Sequence, residues 1–119
     1  MPSVLLAGKD WKSRALLRAQ LQEEGLEVIA LEGAREALNS LTGLANLPKL
    51  LVADLTGSSH PTAEVDLLAR WTSILPIWLI LSRTVTLGRA IDELGFERVI
   101  CRPVDMARLV QEIKERAEE

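Results

Sequence analysis

Residues 50–54 read Leu50-Leu51-Val52-Ala53-Asp54, four apolar residues followed directly by an acid. A continuous apolar run of this length is typical of a strand that is buried on both faces of a parallel sheet. Similar runs occur at residues 4–7, 28–31, 77–81 and 99–101. Because ligands of such sheets bind at the carboxyl ends of the strands, Asp54 is the first candidate for a functional residue.

Helical patterns alternate with these five strands. They cover residues 11–24, 34–41, 62–73 and 87–94, and a last helix begins after Asp105. Asp10 and Asp105 each precede a helix at the position where an acid caps the first backbone N–H groups. Within the last helix we expect Glu112 to pair with Arg116. The alternation predicts one α/β domain over residues 1–119, with a parallel sheet covered by helices on both faces.

The composition limits the kinds of function that the chain can have. Its 119 residues are 48% hydrophobic and 26% charged, which is ordinary for a globular protein. A net charge of -3, without runs of like charge, gives no support to a nucleic-acid partner or an anionic membrane surface. No segment approaches the roughly 18 apolar residues of a membrane span. The one cysteine, Cys101, fits a reducing compartment. We therefore expect a cytoplasmic protein, with Cys101 buried in its strand.

Three polar side chains are expected near one edge of the sheet. Asp54 ends the third strand, Ser82 follows the fourth and Arg102 follows the fifth. Taken alone, Asp54 is better explained by a turn that its carboxylate stabilises. An acid, a hydroxyl and a cation that arrive from separate strands are, however, the parts of a phosphoryl or anion site.

Three segments resemble the response-regulator receiver domain family. Residues 48–55 are similar to the segment that leads along the third strand to the phosphoaccepting aspartate, whose position Asp54 takes. Residues 76–82 look like the fourth strand with its terminal hydroxyl, and residues 94–103 are similar to the fifth strand with its Lys-Pro end. The resemblance covers essentially the whole chain. It implies a flavodoxin-like, doubly wound sheet of five strands in the order 2-1-3-4-5.

The chain departs from the receiver pattern at the metal site. Receivers close the first strand with two acids that bind magnesium, and this chain has Gly8 and Lys9 there. Magnesium takes oxygen ligands, and an ammonium group cannot be one. Asp10, one position further on, is expected to act as a helix cap rather than as a metal ligand. We therefore predict a degenerate receiver that holds no metal and no cofactor.

Other positions of the phosphorylation site differ as well. Arg102 stands where the family has a lysine, and Arg83 stands where it has a small residue that leaves room for phosphate. Ser82 keeps a hydroxyl but lies one residue further from Pro76 than the family pattern has it. Val99 replaces the aromatic residue that reports phosphorylation in the family. A readout by ring rotation is therefore not expected.

Lys9 and Arg102 are two cations expected near Asp54. Lys9 has two open interpretations: it is a solvated loop lysine, or its ammonium group joins Arg102 in replacing magnesium. In the second case an ion pair with Asp54 would hold the surrounding loops in one conformation. His60, in the loop after Asp54, is expected to be exposed to solvent.

These observations favour a pseudo-receiver, a non-enzymatic signalling or scaffold module that binds a protein partner independently of phosphorylation. The resemblance implies that a partner, or a second copy in a homodimer, docks on the fourth helix, the fifth strand and the last helix. The expected contact residues are Leu87, Arg89, Arg98, Met106 and Arg108. No nucleic acid and no membrane are expected as partners.

Two other functions stay open. A small-molecule or anion sensor would hold a phosphate-like ligand with Lys9, Arg83 and Arg102. An atypical receiver would accept phosphate at Asp54 and use Asp10 as a metal ligand. Binding of nucleotides or phosphates would identify the first function, and binding of magnesium would identify the second.

Overall fold

The computed structural model describes residues 3–82 and 91–119, with the backbone alone at Asp92. The elements of the described ranges are, in chain order, β1 (Ser3–Gly8), α1 (Trp11–Glu23), β2 (Glu27–Leu31), α2 (Ala34–Leu41), β3 (Leu50–Asp54), α3 (Pro61–Ala69), β4 (Ile77–Leu81), a 3₁₀ turn (Ile91–Glu93), β5 (Arg98–Cys101) and α4 (Met106–Ala117).

The five strands form one parallel sheet in the order β2-β1-β3-β4-β5. This confirms the predicted strand order and the predicted doubly wound arrangement. The register pairs Gly8 with Asp54 across β1 and β3, and Leu81 with Cys101 across β4 and β5. Because all the strands run in the same direction, the loops that follow them meet at one edge of the sheet. Asp54 and Arg102 lie at that edge.

Two apolar layers, one on each face of the sheet, hold the helices in place. Successive strand residues point to opposite faces, so Leu51 and Ala53 pack with α2 and α3, whereas Val52 packs with α1 and α4. Leu51 is fully buried, and burial of such a side chain stabilises the fold by roughly 1.5–3 kcal/mol. The strand ends are therefore fixed on a well-packed base.

The third helix is shorter than predicted. α3 ends at Ala69, and residues 70–75 form turns before β4 begins. The backbone N–H of Leu75 donates to the carbonyl of Trp71 at 3.2 Å, and the Leu75 side chain is buried. Pro76 disfavours helical geometry in the residue before it. The chain therefore leaves the helix early enough to turn Leu75 into the core.

The other helices agree with the sequence patterns where the structure describes them. The weaker helix predicted at residues 87–94 lies mostly outside the described residues, and its end, Ile91–Glu93, is a 3₁₀ turn. The two predicted caps are confirmed, because Asp10 accepts from the N–H of Lys12 and Asp105 accepts from the N–H of Arg108, both at 3.2 Å. No helix in the described part of the chain is long and apolar enough to cross a membrane.

Candidate functional site

Asp54 ends β3 at the carboxyl edge of the sheet, and both of its carboxylate oxygens are engaged. Oδ1 accepts the backbone N–H of Thr56 at 3.0 Å, which closes a tight turn directly after the strand. Gly57, with a φ of +80°, lets the chain fold back after this turn. Oδ2 accepts a hydrogen bond from Nη2 of Arg102 at 2.5 Å. The carboxylate is thus held by one neutral and one cationic donor.

Arg102 reaches Asp54 from the residue that follows β5. Its own backbone N–H donates to the carbonyl of Leu81 at 2.8 Å, which extends the pairing of β4 with β5 by one residue. Its Nε–H donates to Oγ1 of Thr56 at 2.9 Å. Asp54, Thr56 and Arg102 therefore form a closed set of hydrogen bonds, which we name the Asp54 cluster. Sequence reasoning missed Thr56, although its place two residues after an Asp is a known signal for such a turn.

The end of β1 supplies no acid to this cluster. Gly8 lies opposite Asp54 in the sheet, and its carbonyl accepts a hydrogen bond from Nη1 of Arg14. Lys9 is exposed and makes no ion pair with any described residue. Of the two cations expected beside Asp54, only Arg102 pairs with it. Arg14, a second cation near the strand ends, was not singled out from the sequence.

Asp10 is committed to the start of α1. Oδ1 accepts the N–H of Lys12 at 3.2 Å, and Oδ2 accepts the hydroxyl of Ser13 at 3.0 Å. The hydrogen bond from Ser13 lowers the pKa of Asp10 below its usual value, and Arg102 adds a smaller effect in the same direction. Its carboxylate is used as a helix cap, which is the role expected from the sequence.

These residues do not fit the magnesium ion that the receiver resemblance implies. Magnesium prefers several oxygen ligands in a near-octahedral arrangement. Here a glycine and a lysine occupy the acid positions, and Arg102 holds the oxygen of Asp54 that a metal would need. Across residues 3–82 and 91–119, no group of three or more acidic, histidine or cysteine side chains is arranged to hold a metal.

Ser82 and Arg83 were also expected at this site. Ser82 follows β4 and is half-buried at the same edge of the sheet. Arg83 lies outside the described residues. Below the Asp54 cluster lies a cavity of about 20 Å³, lined mainly by apolar side chains such as Val52 and Met106. It has room for about one water molecule and is too small for an organic ligand.

The expected partner surface is described only in part, because Leu87 and Arg89 lie outside the described residues. Arg98 and Arg108 are exposed, and both pair with Glu112, Arg108 through a 2.9 Å bond from Nε. Met106 is half-buried and packs on the core beside α1. Its side chain also lines the cavity below the Asp54 cluster.

Arginine side chains form ion pairs with the acids around this surface. The predicted pair of Glu112 with Arg116 is wrong, because Arg116 pairs with Glu97 at 2.8 Å. The hydrogen bond from Arg116 lowers the pKa of Glu97, and that from Arg98 lowers the pKa of Glu112. The Arg98 guanidinium lies 5.0 Å from the centre of the Trp78 ring, within range of a cation–π contact.

Two other residues weighed from the sequence can be placed. Cys101 is exposed, which contradicts the expectation that it is buried. β5 is the edge strand of the sheet, and its side chains are only partly covered. His60 is exposed as expected and precedes α3 without a capping hydrogen bond from its side chain.

Comparisons with known proteins support the fold. The sequence matches no protein-family model and no curated protein. The receiver domain of Francisella response regulator 1452 superposes with a TM-score of 0.78 at 18% identity, covering 99% of this chain and 98% of that one. A CheY-like receiver domain from Methanospirillum hungatei JF-1 gives 0.79 at 13% identity, with 98% and 94% covered. A receiver domain protein from Clostridium thermocellum gives 0.76 at 15% identity, with 99% and 95% covered. The chain therefore has the receiver-domain fold, as the sequence predicted.

Proposed function

We propose that this chain is a pseudo-receiver, a cytoplasmic and non-enzymatic signalling module that binds a protein partner without being phosphorylated. The observation that carries the proposal is the double engagement of Asp54, whose Oδ1 is held by Thr56 and whose Oδ2 is held by Arg102. A phosphoryl acceptor needs a free carboxylate oxygen and a cation that screens the approaching phosphate. Here the guanidinium of Arg102 donates a hydrogen bond to that oxygen.

The Asp54 cluster also gives the chain a fixed conformation at its strand ends. Arg102 is charged at every physiological pH, so deprotonation of Arg102 does not break its pairing with Asp54. Val99 offers no aromatic ring as a reporter of changes at Asp54. A module with these properties presents one constant surface, which suits a scaffold or an adaptor in two-component signalling.

The surface that we assign to the partner is the side of β5 and α4. A groove of about 390 Å³ runs between them and is lined by charged and apolar side chains, among them Arg98, Arg108, Glu112 and Ile100. Arginine beside apolar surface is typical of the central residues of protein interfaces. Because Glu112 holds both arginines in place, little side-chain entropy is lost when a partner binds them.

The test compares two sets of variants for affinity to one purified partner, isolated first with the wild-type chain. Charge reversals Arg98→Glu and Arg108→Glu are expected to weaken binding about tenfold or more, because each replaces a cation that pairs with Glu112 by a second acid. Asp54→Asn is expected to leave the affinity within about twofold of wild type. Arg18→Glu, an exposed reversal on α1, is the matched control.

The opposite pattern would reject the proposal. If Asp54→Asn abolishes binding while both reversals on β5 and α4 leave it intact, the strand-end site is the working surface. The same variants, measured for self-association by sedimentation, show whether the partner is a second copy of the chain.

The two alternative functions rely on side chains that are already engaged. An anion sensor that holds its ligand with Arg102 would need this side chain free, and its Nη2 and Nε groups already donate to Asp54 and Thr56. An atypical receiver would need Asp10 as a metal ligand, and both of its oxygens accept hydrogen bonds at the start of α1.

A further inference from the structure

A second and larger concavity lies at the carboxyl edge of the sheet, away from the Asp54 cluster. It has a volume of about 510 Å³ and is lined by residues of the loops after β1, β2 and β3 together with α2 and α3. Ligands of doubly wound folds bind at this carboxyl edge of the sheet. We name this concavity the α2–α3 groove.

Two cationic side chains line this groove. Lys9 and Arg35 both line it, both are exposed, and neither makes an ion pair with a described residue. Arg35 is the second residue of α2, where a positive charge opposes the helix dipole. The helix dipole therefore does not stabilise a cation at this position, and the charge of Arg35 is available to a ligand. His60 and Ser59 add an imidazole and a hydroxyl without described side-chain partners.

The two acids of the groove are turned to the start of α2. Glu64 reaches across from α3, and its Oε1 accepts the N–H of Ala34 at 3.2 Å. The hydroxyl of Ser58 donates to its Oε2. Oε1 of Glu36 lies 3.4 Å from the position that a Cβ on Gly33 would take. Both carboxylates therefore lie by the positive end of the α2 dipole, and neither neutralises Lys9 or Arg35 by an ion pair.

From this arrangement we infer that the α2–α3 groove binds a small hydrophilic phosphate compound with at least two negative charges, a phosphate monoester or inorganic pyrophosphate. The two cations match a ligand with at least two negative charges, and Arg35 can donate two parallel hydrogen bonds to phosphate oxygens. The volume is that of a small-molecule site. Ala63 and Leu67 are the two apolar side chains of its described lining, which includes no Phe, Tyr or Trp, so we expect the bound compound to be polar throughout.

This ligand site is independent of the proposed partner surface. Lys9 and Arg35 contribute nothing to the groove between β5 and α4. The loop after β3 joins the α2–α3 groove to the Asp54 cluster, because Ser58 contacts Glu64 and Thr56, two residues earlier, contacts Arg102. A ligand that displaces Glu64 from α2 would therefore act on the loop that belongs to the Asp54 cluster.

The test is a titration of the wild-type chain with sodium pyrophosphate and glucose 6-phosphate at physiological ionic strength, followed by amide NMR. Sodium sulfate at the same ionic strength is the reference for non-specific anion effects. Saturable shifts of Gly33, Arg35, Ser59 and His60 with at least one phosphate compound are expected. Shifts that grow linearly with both phosphate compounds, or that sulfate reproduces fully, would overturn the inference.

The affinities of single variants test whether the phosphate compound binds in the α2–α3 groove. Arg35→Ala and Lys9→Ala are expected to weaken binding about tenfold each, because each removes a charge-assisted hydrogen bond. Lys49→Ala, at the opposite edge of the sheet, should change nothing. Glu64→Gln keeps an acceptor for Ala34 but removes a negative charge, so it should tighten binding severalfold. Equal effects of Lys9→Ala and Lys49→Ala, or an unchanged affinity in Glu64→Gln, would contradict binding at this groove.

Discussion

Arg102 and Asp54 are 48 positions apart in the chain, and their side chains meet across the end of a third strand. Asp54 ends β3 and Arg102 follows β5, and β4 lies between these two strands. The Arg102 side chain is 28% exposed and that of Asp54 is 17% exposed. In exposure, this ion pair is therefore intermediate. Solvated pairs at a protein surface contribute little to stability, whereas disruption of a buried pair is costly.

We expect Asp54→Ala to lower the free energy of unfolding by about 1–3 kcal/mol. The substitution leaves Arg102 without its counter-charge and the N–H of Thr56 without its acceptor. Urea unfolding at pH 7 measures the effect. Thr56→Val, which removes a neutral hydroxyl but no charge, should cost about 0.5–1.5 kcal/mol.

The control for this prediction is Glu27→Ala, an exposed acid on the edge strand β2. Its effect should stay within about 0.5 kcal/mol. If Asp54→Ala has no larger effect than Glu27→Ala, the Asp54 cluster does not constrain the strand ends.

Glu97 gives a prediction about pH. Hydrogen bonds from Arg116 and Trp78 lower the pKa of Glu97 from its ordinary value of 4.5. A carboxyl group whose pKa is lower in the folded chain binds protons more weakly there than in the unfolded chain. Its contribution to stability is therefore complete above pH 4.5 and is lost as the pH falls through the folded pKa.

Glu97→Gln should consequently lower the melting temperature at pH 7, and the difference from wild type should shrink as the pH falls from 5 towards 3. Melting curves of both proteins across this range provide the measurement. Glu23→Gln, which changes an exposed acid of α1 with no ion pair in the described residues, is the matched control. A difference between Glu97→Gln and wild type that is constant with pH would show that the charge of Glu97 is not involved.

The sequence was sufficient to place the five strands, because each of the five apolar runs is continuous, as in strands of a parallel sheet that is covered on both faces. The three central strands, β1, β3 and β4, are buried almost throughout, whereas the edge strands β2 and β5 are only partly covered. The sequence was also sufficient to place Asp54 and Arg102 at one edge of the sheet. Caps such as Asp10 were predictable because they depend on a hydrogen bond between residues two or three positions apart.

Side-chain partners over long separations were not predictable. The spacing of Glu112 and Arg116 favoured a pair within one helix, yet Arg116 contacts Glu97 from the loop before β5. Exposed charges three or four residues apart gain only a few tenths of a kcal/mol, so tertiary contacts decide the outcome. The expected burial of Cys101 was wrong because an apolar run does not show which strand forms the edge of the sheet, and Cys101 lies on the edge strand β5.

Acetyl phosphate with excess magnesium is expected to leave the wild-type chain unmodified. Arg102 occupies one oxygen of Asp54, and no acid follows β1 that could hold the metal next to the other. Intact-mass spectrometry after incubation measures the outcome. A mass increase of one phosphoryl group that is absent in Asp54→Asn would show that Asp54 accepts phosphate after all.

Restoring the acids at the end of β1 should restore metal binding. A Cβ on Gly8 would lie 3.4 Å from Cβ of Asp54, an ordinary contact distance, so Gly8→Asp fits without displacing the strand. We expect the triple variant Gly8→Asp, Lys9→Asp, Arg102→Lys to be destabilised without metal, because three carboxylates then repel one another. Magnesium should raise its melting temperature in a saturable manner and leave wild type unchanged.

Two controls make this result specific to the strand-end site. Adding Asp54→Asn to the triple variant should remove most of the stabilisation by magnesium, since the metal then loses a carboxylate ligand. The double variant Gly8→Asp, Lys9→Asp, which retains Arg102, should respond to magnesium less than the triple variant. If wild type and the triple variant gain equally from magnesium, the metal binds elsewhere. The replacement of acids by Gly8 and Lys9 would then not explain the loss of metal binding.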